Sequence, residues 1–262
     1  MAERVRGRVF GEVAQRYHRV RPEYPARLVE DVVAFTGCTN PRVLEIGAGT
    51  GQATVSFATV ASTLTAVEPD PAMVAVLKQT TRTATNVQVV SASFEDARLE
   101  QTFDLLISAE AWHWVDPQLR WRLAVQHLRP GGTIALFWHD DRLLDPRQRV
   151  ALARALGRTR PGGDETSPEV PVVDIWPGPD MVSDPGLVDV ATRGYPWTRH
   201  LTVSDYVDYL STQSWCRILP ADQHQVTLSD ATRALGGPTG TVELAIQTRL
   251  YLAHTSGGAT SP

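Results

Sequence analysis

Apolar positions along the chain fall into short runs separated by stretches of helical length. The runs Val43-Leu44-Glu45-Ile46, Val87-Gln88-Val89-Val90, Phe103-Asp104-Leu105-Leu106-Ile107-Ser108 and Ile134-Ala135-Leu136-Phe137-Trp138, with another ending at Ala66-Val67, carry few polar interruptions. That is the pattern of strands covered on both faces. Strands and helices therefore alternate from residue 40 to 140 and predict a parallel sheet with helices on both faces. Ahead of this core, residues 1–35 read as a helical arm, with Phe10, Val13, Ala14 and Tyr17 at helical spacing. A short helix follows Asp145-Pro146 and runs to about Leu156. Residues 157–186 collect glycines, prolines, Asp164, Glu165 and Asp174, and are expected to form a loop or lid. In the C-terminal region, 187–255, Val188 to Thr198 reads as a strand, Val203 to Gln213 and Ala221 to Leu235 as helices, and Val242 to Ala253 as a final strand. Thr255 to Pro262 is a tail of small residues. The 262 residues suffice for one α/β domain, a doubly wound, mostly parallel sheet of seven strands.

The first strand runs into Gly47-Ala48-Gly49-Thr50-Gly51-Gln52, and Glu68-Pro69-Asp70 ends the second. A glycine-rich turn after a strand, followed about 20 residues later by an acid at the next strand's end, is the geometry of a nucleotide-binding βαβ unit. Glycine allows the tight bend and a close approach to the ligand, and Glu68 is placed to accept two ribose hydroxyls. A dinucleotide fingerprint would want glycine at position 52, where Gln52 stands. Glu45 would also set a carboxylate against a pyrophosphate, which is repulsive, whereas beside an ammonium or sulfonium it is favourable.

The pattern E-x-G-x-G-x-G from Glu45 to Gly51 resembles the first motif of the class I S-adenosylmethionine (SAM) dependent methyltransferases, and Glu68 resembles the acid of their second. The resemblance implies a Rossmann-like sheet and SAM as cofactor. It extends to Ser93 and Phe94 after the third strand, at the positions that hold adenine in the family, and to Leu128-Arg129-Pro130-Gly131-Gly132, a helix end and turn before the fifth strand. The cofactor set it implies is Glu45, Gly47, Ala48, Gly49, Gly51, Gln52, Glu68, Pro69, Met73, Ser93, Phe94, Ser108 and Ala109. The flanks are similar to a small-molecule subgroup related to trans-aconitate methyltransferase. They are Phe10 to Pro25, with its Arg21-Pro22-Glu23-Tyr24-Pro25, and Ala109-Glu110-Ala111-Trp112-His113-Trp114-Val115-Asp116 after the fourth strand. In the subgroup the N-terminal arm folds over the cofactor.

Ligands of open α/β sheets lie beyond the carboxyl ends of the strands, so His113 is expected to face the transferred methyl group. His113 is a candidate general base, and Tyr17 a second catalytic candidate. The acceptor is expected to meet Tyr17, Arg21, Tyr24, Trp112, His113, Trp176 and Trp215. Six of the seven tryptophans, at 112, 114, 138, 176, 197 and 215, point to an aromatic or indole-type metabolite. A base matters for a phenol or an indole carbon. A carboxylic acid, the alternative acceptor, needs none and would be positioned by Arg21 or Arg217. Glu110, His139, Asp140 and Asp141 have ligand chemistry for a divalent cation, but Arg142 follows them and no metal is expected. A nicotinamide-dependent dehydrogenase and a non-catalytic SAM-binding protein are the remaining alternatives.

Composition fits a small-molecule enzyme. Lysine and arginine number 25 against 29 acids, a net charge of −4 with no basic stripe, so no nucleic-acid partner is expected. No apolar run approaches a membrane span, and two cysteines give neither a disulfide framework nor a metal spacing. The expectation is a cytoplasmic monomer or weak homodimer.

Overall fold

In the computed structural model, residues 10–157 and 176–256 are described. The start of the predicted arm, residues 158–175 of the predicted loop and the last of the tail lie outside them. The chain forms two compact units. One contains Pro22–His139, Val172–Tyr195 and Thr248–Pro262; the other contains Met1–Arg21, Asp140–Pro171 and Pro196–Gln247.

The seven strands are β1 (Arg42–Ile46), β2 (Thr63–Val67), β3 (Val87–Val90), β4 (Phe103–Ala109), β5 (Leu128–Leu143), β6 (Leu187–Thr202) and β7 (Thr241–Thr255). They form one sheet in the order β3-β2-β1-β4-β5-β7-β6. The pairs β1–β2, β2–β3, β1–β4 and β4–β5 are parallel. The chain runs outward from β1 through β2 to β3, then returns to the far side of β1 as β4. That reversal opens a crevice beyond the ends of β1 and β4, the usual ligand site of such sheets. Glu45 lies level with Ala66 of β2 and Ile107 of β4.

Successive strand residues point to opposite faces, and the first unit fills both. Val43, Leu105, Ile107, Ala135 and Phe137 pack on one face with Leu28 and Val32 of α2 (Ala26–Thr36) and Phe57 of α3 (Gln52–Ala58). Leu44, Ile46, Leu106, Ile134 and Leu136 pack on the other with Ala124 of α5 (Arg120–His127). Each large side chain so buried contributes roughly 1.5–3 kcal/mol. α4 (Pro71–Thr80) begins under the Asp70 carboxylate, which accepts the amides of Ala72 and Met73 at 2.8 and 3.2 Å.

The second unit contains α1 (Ala14–Val20), α6 (Pro146–Leu156), α8 (Val203–Ser211), α9 (Ser214–Arg217) and α10 (Ala221–Ala234). Val20, Leu152, Leu156, Tyr206, Leu210, Ala231 and Leu235 form its core. α1 is tied to α8 by Arg19, which bonds Asp205 at 2.7 Å and also reaches Asp208.

Two local expectations change. The Pro-Gly-Gly turn does not separate α5 from the fifth strand: β5 starts at Leu128, directly after the helix. The glycines are absorbed as an irregularity in the β4–β5 ladder, with Gly131 at φ +72. The predicted 157–186 loop carries, in its described part, a helix, α7 (Gly178–Ser183). Its Asp180 holds the Arg120 guanidinium, 60 residues away, at 2.8 Å and the Trp176 indole N–H, four residues back, at 2.7 Å, contacts that outweigh the Gly/Pro composition.

Candidate functional site

The turn after β1 is fixed by its own backbone. Gly47 and Ala48 donate to the Val67 carbonyl at the end of β2, at 2.9 and 3.1 Å. Gly47 has φ +70, and a Cβ there would meet the Ala111 Cβ at 2.2 Å, so only glycine lets the segment after β4 close on the turn. Gly49, at φ +57, has no atom within 4 Å of where its Cβ would stand, which leaves open space over the turn. Thr50 donates to the Gln52 side-chain oxygen at 2.9 Å.

Two carboxyl groups stand at neighbouring strand ends. Both oxygens of Glu68 are taken by backbone amides, Oε2 by Gly49 and Oε1 by Asp70, each at 2.9 Å. Burial raises the Glu68 pKa, and these two bonds draw it back. Glu45 is 1% exposed, and its Oε2 has no hydrogen-bond partner. Burial pushes its pKa up to about 8, and the Glu68 charge adds to the rise. Thr54 of α3 pulls the other way by more than the Glu68 charge adds, although its hydroxyl makes no bond of ordinary geometry. A buried acceptor without a partner costs about 1–3 kcal/mol and marks a place where a ligand donor or cation can be received.

Around these acids, Pro69 is exposed and Met73 buried. Ser93 donates to Asp96 at 2.8 Å, and Phe94 packs into the core beside Trp112 and His127. Ser108 donates to the Ile46 carbonyl at 2.9 Å, tying β4 to β1 just below Ala109. Glu110 follows in the left-handed region, φ +57, and its carboxylate accepts the His139 amide at 2.6 Å. A non-glycine residue held there stores roughly 1–3 kcal/mol of strain.

The predicted acceptor residues separate into four environments. His113, in a short 3-10 turn (Trp112–Trp114), accepts the Trp138 indole N–H on Nδ1 at 3.4 Å. Its ring centroid lies 4.5 Å from Trp114 and 6.4 Å from Trp176, and Trp138 lies 5.6 Å from Trp176. These rings lower the His113 pKa to about 4 by excluding water on one side, while the other side remains open to solvent. Trp112 is wholly buried and packs against Phe94 and Trp121, so it belongs to the core beneath this cluster. Tyr24 stacks on His139 at 4.6 Å, and His139 Nδ1 bonds Thr248 at 2.9 Å.

Tyr17, Arg21 and Trp215 belong to the second unit. Arg21 donates to the Thr212 hydroxyl and carbonyl at 3.1 and 2.9 Å and lies over the rings of Tyr17 and Tyr209 at 4.6 and 5.3 Å. Trp215 packs against that unit's core, and Arg217 pairs with Glu12. Among the described residues there is no group of three or more metal-ligating side chains. The pairing of Arg120 with Asp180, and through it the seating of Trp176, is new: the two lie 60 residues apart with no local signal.

Residues 44–136 match the methyltransferase domain family. An uncharacterised methyltransferase of Mycobacterium tuberculosis is 31% identical over 228 residues, covering 86% of this chain and 84% of its own. The chain belongs to the class I SAM-dependent methyltransferases. A methyltransferase-like protein of Schizosaccharomyces pombe is 25% identical over 86% of this chain and 85% of its own. Among solved structures, a protein from Anaeromyxobacter dehalogenans superposes with a TM-score of 0.66 at 22% identity, covering 91% of this chain and 99% of its own. The YcgJ protein of Bacillus subtilis gives 0.54 at 19%, covering 89% and 100%. Both share the fold. The open turn at Gly49 and the orphaned, buried Glu45 Oε2 fit a cofactor that is cationic at one end and carries ribose hydroxyls. No helix among the described residues is long and apolar enough to cross a membrane.

Proposed function

We propose that this methyltransferase acts on a small, flat acceptor seated against His113, Trp114, Trp138 and Trp176. The aromatic cluster carries the reading: four rings from three separate segments meet at the end of β4. Such walls favour a planar molecule by apolar and π contact. Tyr24 borders the same strand ends through His139, whereas Tyr17, Arg21 and Trp215 remain acceptor candidates on sequence grounds alone. The likeness of the flanks adds to this reading a small-molecule subgroup related to trans-aconitate methyltransferase.

In this reading Glu68 receives the ribose hydroxyls, Glu45 faces the cationic methionine end, and Ser93 and Phe94 flank the adenine. Gly47, Ala48, Gly49, Gly51 and Gln52 form the floor, with Pro69, Met73, Ser108 and Ala109 at its borders. The cofactor supplies an activated methyl group on sulfur. The protein's part is to fix the acceptor about 3 Å from that carbon and keep water out. His113 is the one imidazole in the cluster, and a phenol or indole acceptor would require it as base.

Labelled methyl transfer from SAM to a panel of small aromatic acids, phenols and indoles tests the reading. Label should appear on a flat acceptor, and Trp176→Ala should raise KM for it severalfold while S-adenosylhomocysteine affinity holds. Label on aliphatic acceptors only, unaffected by Trp176→Ala, would defeat it.

A further inference from the structure

The Trp138 indole N–H can only donate, so His113 Nδ1 must be the acceptor of their hydrogen bond. In a neutral imidazole the proton then resides on Nε2, which has no hydrogen-bond partner among the described residues. Trp138 is itself held edge-on by Trp176 at 5.6 Å and Tyr251 at 6.0 Å, so the lock is braced by the sheet. Water exclusion lowers the His113 pKa. To serve as a base, His113 would have to take a proton on Nδ1. That would strip Trp138 of its acceptor and place a cation on the water-excluded side of the ring.

We propose that His113 is a fixed hydrogen-bond donor, presenting Nε2–H to an acceptor that is already an anion, a small aromatic carboxylate. The proposal rests on the reading of the aromatic cluster as the acceptor's seat. His113 bonds one carboxylate oxygen while a lone pair of the other forms the new bond to the methyl carbon. The electron pair of the broken carbon–sulfur bond returns to sulfur, the product is a methyl ester, and no proton has to be removed. A neutral phenol or an indole carbon, which must lose a proton, finds no base here. Trp138 is the positioning residue that holds the tautomer.

Two measurements on the full chain test this. Long-range nitrogen–proton correlation spectra at pH 7, without acceptor, should show His113 as the neutral Nε2–H tautomer, with Trp138→Phe giving a tautomer mixture. A protonated His113 or the Nδ1–H form in the wild type would overturn the proposal. In the second, labelled methyl is supplied to benzoate, indole carboxylates, phenols and indoles, and the product is treated with mild base. Label released as methanol is the expected result. His113→Phe should then cost roughly ten- to hundredfold in kcat/KM, and His113→Gln, which keeps a donor, should recover part of it. Label fixed on phenols or indoles, with a rising pH limb lost in His113→Phe, overturns the proposal but leaves the flat-acceptor reading standing. Label on no aromatic acceptor overturns both.

Discussion

At the ends of β1 and β2 the polar groups belong to one stretch from Glu45 to Asp70, and backbone amides hold both oxygens of Glu68. At the ends of β4 and β5 the groups come from three stretches, around His113, Trp138 and Trp176, and side chains hold one another. The first arrangement is rigid, because its donors are fixed by the strands and the turn. The second depends on each ring staying in its rotamer. The first therefore suits a ligand shared by a whole family and the second an acceptor that differs between members. If so, damage to one half should leave the other's binding intact.

The most severe test is Gly47→Ala. The new methyl would collide with Ala111 and force a side chain onto φ +70, so a loss of about 3 kcal/mol or more in stability is expected. Thermal unfolding with and without S-adenosylhomocysteine would show both a lower Tm and a lost ligand shift. Adding Ala111→Gly should restore only the part due to the clash. Full restoration would mean that backbone strain at Gly47 counts for little.

Glu45 gives the next effect, through pH. Its carboxyl is held near 8 when folded and titrates in the ordinary carboxyl range when unfolded. Between those values the folded chain binds a proton that the unfolded chain has released. The stability this contributes is fully present below the unfolded pKa and is lost as pH rises through about 8. Wild-type stability should thus fall between pH 5 and 8 relative to Glu45→Gln, by an amount on the order of a few kcal/mol. Parallel urea midpoints for the two proteins over that range would remove Glu45 as the cause.

The same contrast explains what sequence reading reaches. Glu45, Gly47 and Glu68 were legible because a strand, a turn and the next strand end require those residue types at short spacing. α8 and α10 were likewise legible from periodicity, to within about two residues at their ends. The seating of Trp176 was not, because it depends on Arg120 and Asp180 meeting across 60 residues. Trp112 and Trp138 look alike in a composition, yet one is core and the other braces His113, a difference set by which sheet face and turn each occupies. The positive φ of Glu110 had no sequence signal, since glycine is the residue that would announce it.

Within the first half, Glu68→Gln keeps one acceptor oxygen and loses a charge-assisted bond from Gly49 or Asp70. A stability cost of about 2 kcal/mol and at least a roughly tenfold weaker S-adenosylhomocysteine titration are expected. Acceptor KM should change little. A rise in acceptor KM equal to the loss in cofactor affinity would mean that the two halves are coupled.

The mildest change addresses the second half alone. Asp180 holds both the Arg120 guanidinium and the Trp176 indole, and its side chain is 42% exposed, so water screens much of the charge. Asp180→Asn keeps an oxygen for the Trp176 N–H but leaves Arg120, 9% exposed, without its counter-ion. About 1 kcal/mol of stability should be lost. Trp176 lies under that guanidinium at 4.7 Å and against Trp138 and His113, so its displacement would widen the acceptor's seat. KM for a flat acceptor should rise severalfold, with S-adenosylhomocysteine affinity unchanged by calorimetry. An equal fall in both would show that the aromatic half supports the cofactor as well, and the contrast between a fixed half and a variable half would have to be given up.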